Sequence, residues 1–204
     1  MNFRDIDFSK VAQMLNSMSD EEKDNLQKMA QDMMDKKVPQ EEAAEEEDVD
    51  LFEFLKIPEE KYTDLPGTVL DQMEAAVDLE VYYEDEDQAD FAASILFYAK
   101  AVLNLLRKYH YDMYTEVFGL SMSTSTTTLY SYLAPLMQEE AIHNLVDAGY
   151  GASEDWTFHK DMLQKLTILL SRAEYDVVGY EEIQMLKEVL FKQEALLNIV
   201  QLVR

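Results

Sequence analysis

The chain has 204 residues, with 17 basic against 42 acidic side chains, a formal net charge of −25, and no cysteine. Disulfides, thiolate metal centres and cysteine nucleophiles are therefore excluded, and the negative field would repel phosphate backbones and anionic headgroups, so no nucleic acid and no membrane surface is expected as a partner. The opening "MNFRDIDFSK" has no apolar run behind basic residues, which leads us to expect a cytoplasmic protein, large enough to bury a core without staples.

Five glycines, four prolines and a dominant 3.6-residue period predict an all-α, multi-helix bundle of about five to seven helices with an N-terminal pair of short amphipathic helices. In the first of that pair, Phe8, Val11, Leu15 and Met18 recur on one side with Met14 beside them. In the second, "SDEE" places Ser19 as an N-cap and Glu22 three residues on, the arrangement of a capping box. Leu26, Met29, Ala30, Met33 and Met34 then line one face. Pro39 stops the pattern, and seven acids follow within residues 41–50, a run that reads as a solvated tether. The expected organisation is a Met-rich pair over 1–36, an acidic linker over 37–50 and a helical bundle over 51–204.

Within the bundle, "LFEFLKIP" predicts a short apolar helix ended by Pro58, and "LPGTVLDQMEAAVDLE" a helix of about four turns after Pro66. An acidic connection over 82–88 leads into the most apolar helix, Asp87 to about Tyr111, with Phe91, Ile95, Tyr98, Val102, Leu105 and Tyr109 as its stripe. "SMSTSTTT" over 121–128 lacks the glycines and lysine of a phosphate-cradling loop and reads as a polar loop that supplies an N-cap. Two long amphipathic helices are expected to finish the chain, separated by Gly179. Phe158, Met162, Leu163, Leu166, Leu169, Leu170 and Ala173 form the stripe of the first, and Leu186, Val189, Leu190, Leu197 and Val200 that of the second.

The nearest thing to catalytic chemistry is "QEEAIHNL", where Glu140 and His143 have the Glu-x-x-His spacing of carboxylate-bridged metal sites, with Asp147 a turn further on. At about 100° per residue a helix running unbroken from Leu129 would put all three in the buried stripe. Pro135 argues for a break, after which Met137, Ala141, Ile142, Leu145 and Val146 face inward and Glu139, Glu140, His143, Asn144 and Asp147 face water. A mononuclear site would have to borrow His110 or His159, and His159 reads as a lone core histidine with one satisfied nitrogen. Tyr109, Tyr111 and Tyr114 read as core residues whose hydroxyls reach the rim. No Ser-His-Asp arrangement and no dinucleotide fingerprint is present, so no catalytic residue is assigned and no cofactor is expected.

The better functional signal is at the N-terminus. Five of the twelve methionines lie between residues 14 and 34, and methionine gives an adaptable apolar face suited to helix or peptide binding. Val11, Met14, Leu15, Met18, Leu26, Met29, Met33 and Met34 are the expected partner-binding residues. "MSDEEKDNLQKMAQDMM" resembles, over 17 of 204 residues, the Met-rich helical repeats of stress-inducible co-chaperone domains, which bind apolar segments; it lacks the Asp-Pro dipeptide of many of them. The leading expectation is a non-catalytic interaction module whose partner is an apolar or basic protein, or a second copy. The alternative is a bundle binding a metal or small ligand, or an enzyme, through Glu140 and His143.

Overall fold

The computed structural model describes residues 49–83 and 89–203, and among these every regular element is helical. The Met-rich residues 1–36 and the acidic linker through residue 48 lie outside the described residues, so the expectations placed on them stay as they were. Asp50 opens α1 (Leu51–Leu55) by accepting the amides of Phe52 and Glu53 on Oδ1, both at 2.9 Å. The helix closes at Lys56, whose left-handed backbone (φ 55°) returns its own amide to Glu53 and that of Ile57 to the Phe52 carbonyl, a Schellman closure. Pro58 precedes the single turn of α2 (Glu59–Tyr62), and Pro66 precedes α3 (Gly67–Tyr82), as the proline positions predict.

α3 packs most extensively against α4 (Ala92–Leu105). The apolar stripe of α4 is buried as expected through Phe91, Ile95, Tyr98, Val102 and Leu105. Its expected last member is not: Tyr109 is half-buried, and its neighbour His110 is wholly inside. The cause is a π-helical turn over Leu106–His110, between α4 and α5 (Tyr111–Phe118), which adds a residue to the turn and advances the phase of everything after it. Met113 and Tyr114 are buried in the new phase, and α5 ends at Gly119, where φ is 67°. This corrects the expected helix end near Tyr111.

The polar loop behaves as its residues suggest. Thr124–Thr126 form one 3₁₀ turn, and Thr128 and Ser131 cap α6 (Leu129–Leu136) reciprocally. Arg107 holds the loop with Nε on Thr127 Oγ1 at 3.1 Å and Nη2 on the carbonyls of Ser125 and Thr127. The helix does stop after Pro135, but Pro135 sits inside the last turn of α6; the break spans Met137–Glu140 and α7 (Ala141–Asp147) begins beyond it. Met137 consequently points outward, unlike the inward residue expected.

α8 (Ser153–Ala173) touches α4, α6, α7 and α10 (Ala195–Gln201), and so sits centrally. The expected final long helix is broken. It comprises α9 (Tyr180–Lys187), a second π turn over Glu188–Lys192, a left-handed Glu194 (φ 56°) and then α10. Across the π turn three consecutive residues, Val189, Leu190 and Phe191, are buried. Its Phe191 carbonyl accepts from Tyr62 Oη at 3.2 Å, and the Phe191 ring meets Tyr98 at 5.5 Å. No helix among the described residues is long and apolar enough to cross a membrane.

Candidate functional site

Glu140, His143 and Asp147 are all exposed. Glu140 precedes α7, and His143 Nε2 pairs with Asp147 Oδ2 at 3.1 Å, their side chains 73% and 64% exposed. Ala141 and Leu145 are the buried residues of this helix, with Ile142 and Val146 half-buried. The break after Pro135 thus turns the Glu-x-x-His spacing to solvent, and neither His110 nor His159 is near enough to share a polar contact with it. Among the described residues no group of three or more His, Asp or Glu is gathered as a metal would require.

The other two histidines meet each other instead. His110, at the end of the first π turn, and His159, on α8, are both fully buried with ring centroids 5.0 Å apart. His110 Nε2 lies 2.7 Å from the Ile199 carbonyl on α10, and since a carbonyl only accepts, that nitrogen carries the proton. Its Nδ1, both nitrogens of His159 and the hydroxyl of Tyr114 have no hydrogen-bond partner in the protein. Tyr114 stacks on His110 at 6.1 Å, and Trp156 lies 5.4 Å from His110 and 5.3 Å from His159. Trp156 is itself fixed by donating Nε1 to the Tyr150 carbonyl at 2.7 Å.

Burial dominates the proton affinities here. It pushes His110 down to about 4 against a smaller opposing effect of the Ile199 carbonyl, and holds His159 well below its ordinary 6.5, with His110 adding to the shift. Burial, helped by Tyr132, keeps the Tyr114 hydroxyl well above 10. The pair is neutral and sealed from solvent at neutral pH, a packing element rather than an acid and base within reach of a substrate. His159 therefore differs from its expectation twice: it is not alone, and neither nitrogen is satisfied. Only the π turn brings His110 into line with it, and no local residue pattern announces that turn.

A cleft of about 470 Å³ lies between α8 and the α9–π segment. Met162, Ile168 and Leu169 line one wall and Met185, Leu186 and Val189 the other, with Lys165, Glu188 and Gln193 among the polar residues that edge it. Ile168 and Met185 are more than half exposed although both are large and apolar. The sequence held a trace of this: apolar residues of α8 cover more of its circumference than the stripe through Met162, Leu166 and Leu169 needs, with Ile168 on the outer side. Compared with family models, with curated proteins and with solved structures, the chain matches none.

Proposed function

We propose that the protein is a non-catalytic interaction module that receives an amphipathic helix of a protein partner in the α8–α9 cleft and works in the cytoplasm. The observation that carries the reading is the cleft itself: two helical walls with exposed Ile168 and Met185 at the opening. An apolar trough between helices takes residues at i, i+3, i+4 and i+7 of an incoming helix, and methionine walls adapt to more than one sequence. A net charge of −25 favours a partner helix whose outer side is basic. The Met-rich stretch from Val11 to Met34 is a second apolar element in the same proposal, on the strength of its residue pattern.

The test uses a synthetic helix of about 18 residues with leucine at the i, i+3, i+4 and i+7 positions and lysine elsewhere, beside a scrambled peptide of identical composition. The patterned peptide is expected to bind the full chain, and Ile168→Ser with Met185→Ser to weaken it about tenfold. Equal binding of the scrambled peptide, or an unchanged affinity in the double variant, would overturn the proposal. Removal of residues 1–48 addresses the Met-rich element separately: unchanged oligomeric state, stability and peptide affinity would strike it from the reading. Self-association that disappears in the double variant would identify a second copy as the occupant.

A further inference from the structure

The sequence contains no lysine, arginine or histidine between Lys61 and Lys100, and none between Arg172 and Lys187. The first interval carries ten acidic residues and the second four, Glu174, Asp176, Glu181 and Glu182. Four of those ten, at 84–87, lie outside the described residues; among the described ones the fold brings Tyr83, Asp90 and Phe91 of the first interval beside the second at one corner. The Phe91 amide donates to the Val178 carbonyl at 2.9 Å, and the Val178 amide donates to Asp90 Oδ1 at 3.1 Å, so the start of α4 and the α8–α9 connection are tied side by side. Deeper in, Lys187 Nζ donates to Glu80 at 2.7 Å and joins the end of α3 to α9. Arg172, on the outer side, is already engaged by Glu182 at 3.0 Å and Asp176 at 3.8 Å.

The same corner displays aromatic rings. Tyr82 and Tyr83 lie edge to face at 5.0 Å, Tyr83 meets Phe91 at 6.4 Å, and Phe91 meets Tyr180 at 6.2 Å. These contacts run as a chain from the end of α3 to the start of α9. Phe91 is buried and anchors the chain, whereas Tyr82 is 74% and Tyr180 64% exposed. Tyr175 and Val177, on the α8–α9 connection, are exposed as well. Exposed tyrosine clustered by tertiary contact, beside the exposed acids Glu174 and Glu181, differs from both a merely solvated acidic face and a scattering of surface apolar residues.

We propose that this tyrosine corner is a docking surface for an arginine-rich segment of a protein partner. Tyrosine faces attract guanidinium groups by cation–π contact and planar stacking, and the exposed carboxylates of Glu174 and Glu181 supply acceptors beside them, so the corner offers both halves of arginine recognition. Lysine shares the charge but not the planar stacking, so the surface distinguishes the two. The inference goes beyond the cleft, because none of its residues lines the cleft and the bound group is a cation rather than an apolar stripe.

The probes are nona-arginine and nona-lysine peptides, titrated against the full chain at about 0.15 M salt, where long-range attraction is screened over roughly 8 Å. Three double variants separate local recognition from bulk charge: Tyr82→Ser with Tyr180→Ser, which leaves the charge unchanged; Glu174→Gln with Glu181→Gln at the corner; and Glu139→Gln with Glu140→Gln on the distant α6–α7 connection. All six side chains are exposed, so the fold is retained. Nona-arginine is expected to bind several-fold more tightly than nona-lysine, and to lose about tenfold in affinity with the tyrosine pair and with the corner acids. With the distant acids the change should stay below about twofold. Retained affinity in the tyrosine variant, or equal losses from the corner and distant acids, would reduce the binding to net charge and overturn the proposal. Ile168→Ser with Met185→Ser is expected to leave nona-arginine binding unchanged; loss there would move it to the cleft and overturn the inference while sparing the proposed function.

Discussion

Two polar clusters are buried in this helical body, and they are built on opposite principles. In one, Glu80 accepts Tyr98 Oη at 2.6 Å and Lys187 Nζ at 2.7 Å, while Lys187 also lies 4.5 Å over the Phe54 ring. Both carboxylate oxygens are used, and the charge of one partner answers the other. In the other, His110, His159 and Tyr114 share one apolar cage with four ring or hydroxyl atoms unpaired. The satisfied cluster ties α3, α4 and α9 together through partners that need one another; the unsatisfied one is held by shape and by staying uncharged. The comparison implies that one cluster fails when a partner is removed and the other when a proton is added.

The largest expected effect is that proton. Both imidazoles bind protons more weakly folded than unfolded, so below pH 6.5 the unfolded chain takes up protons that the folded chain refuses, and stability falls as the pH drops. For His110 alone, a fall from 6.5 to about 4 corresponds to roughly 3 kcal/mol lost by pH 4, at about 1.4 kcal/mol per tenfold change in proton affinity. Urea unfolding at pH 7.5, 6, 5 and 4 measures this; a midpoint that holds level from 6.5 to 4.5 would remove the histidines from the account. Next in size is Lys187→Ala, which strands the 4%-exposed Glu80 carboxylate and should cost about 3 kcal/mol at neutral pH. A loss under about 1 kcal/mol in the same assay would show that water reaches Glu80 and that the contrast between the clusters is overdrawn.

Gly151→Ala tests the wall of the histidine cage with no change of charge. Gly151 has φ 59°, and a Cβ there would stand 2.8 Å from Leu202 Cδ2 and 3.3 Å from Trp156 Nε1. Backbone strain and the displaced indole together should cost about 2 kcal/mol. Thermal melts that match the wild type would mean that Leu202 swings aside freely and the cage is soft.

How much of this could be read beforehand depended on where the period held. Pro58, Pro66 and the polar residues before Leu129 act within a turn of their own position, so the stop of α1 and the starts of α3 and α6 were legible, whereas Asp50, counted with the acidic linker, proves to be the cap of α1. The stripes of α4 and α8 were legible because a constant 100° per residue connects them. Both π turns break that constant. Past Leu106 the buried position moves from Tyr109 to His110, and past Glu188 three successive residues turn inward; each shift is settled by what the turn packs against, the Ile199 carbonyl in one case and Tyr62 and Tyr98 in the other. The cleft and the tyrosine corner were hidden for a related reason. The tyrosine corner joins segments far apart in the chain, the cleft depends on how the consecutive helices α8 and α9 pack, and an exposed Met185 or Tyr180 has the same local pattern as a buried one.

The smallest expected effect is the most discriminating. His159→Phe places an apolar ring of similar size where two unpaired nitrogens now sit, against Trp156 and His110, which already pack as aromatic neighbours. Replacing a buried, unsatisfied polar group by an apolar one of the same shape is neutral to stabilising, so about 1 kcal/mol should be gained at pH 7.5. The gain should widen on acidification, since a group that no longer titrates in the unfolded chain contributes nothing to the loss below pH 6.5. The counterpart Tyr98→Phe removes a donor from a carboxylate that uses it and should lose about 1.5 kcal/mol. Opposite signs for two substitutions that each leave a phenyl ring in the core are what distinguish a satisfied from an unsatisfied cluster. If His159→Phe destabilised at every pH, the imidazole would have partners that shape alone does not account for, and the two clusters would be of one kind.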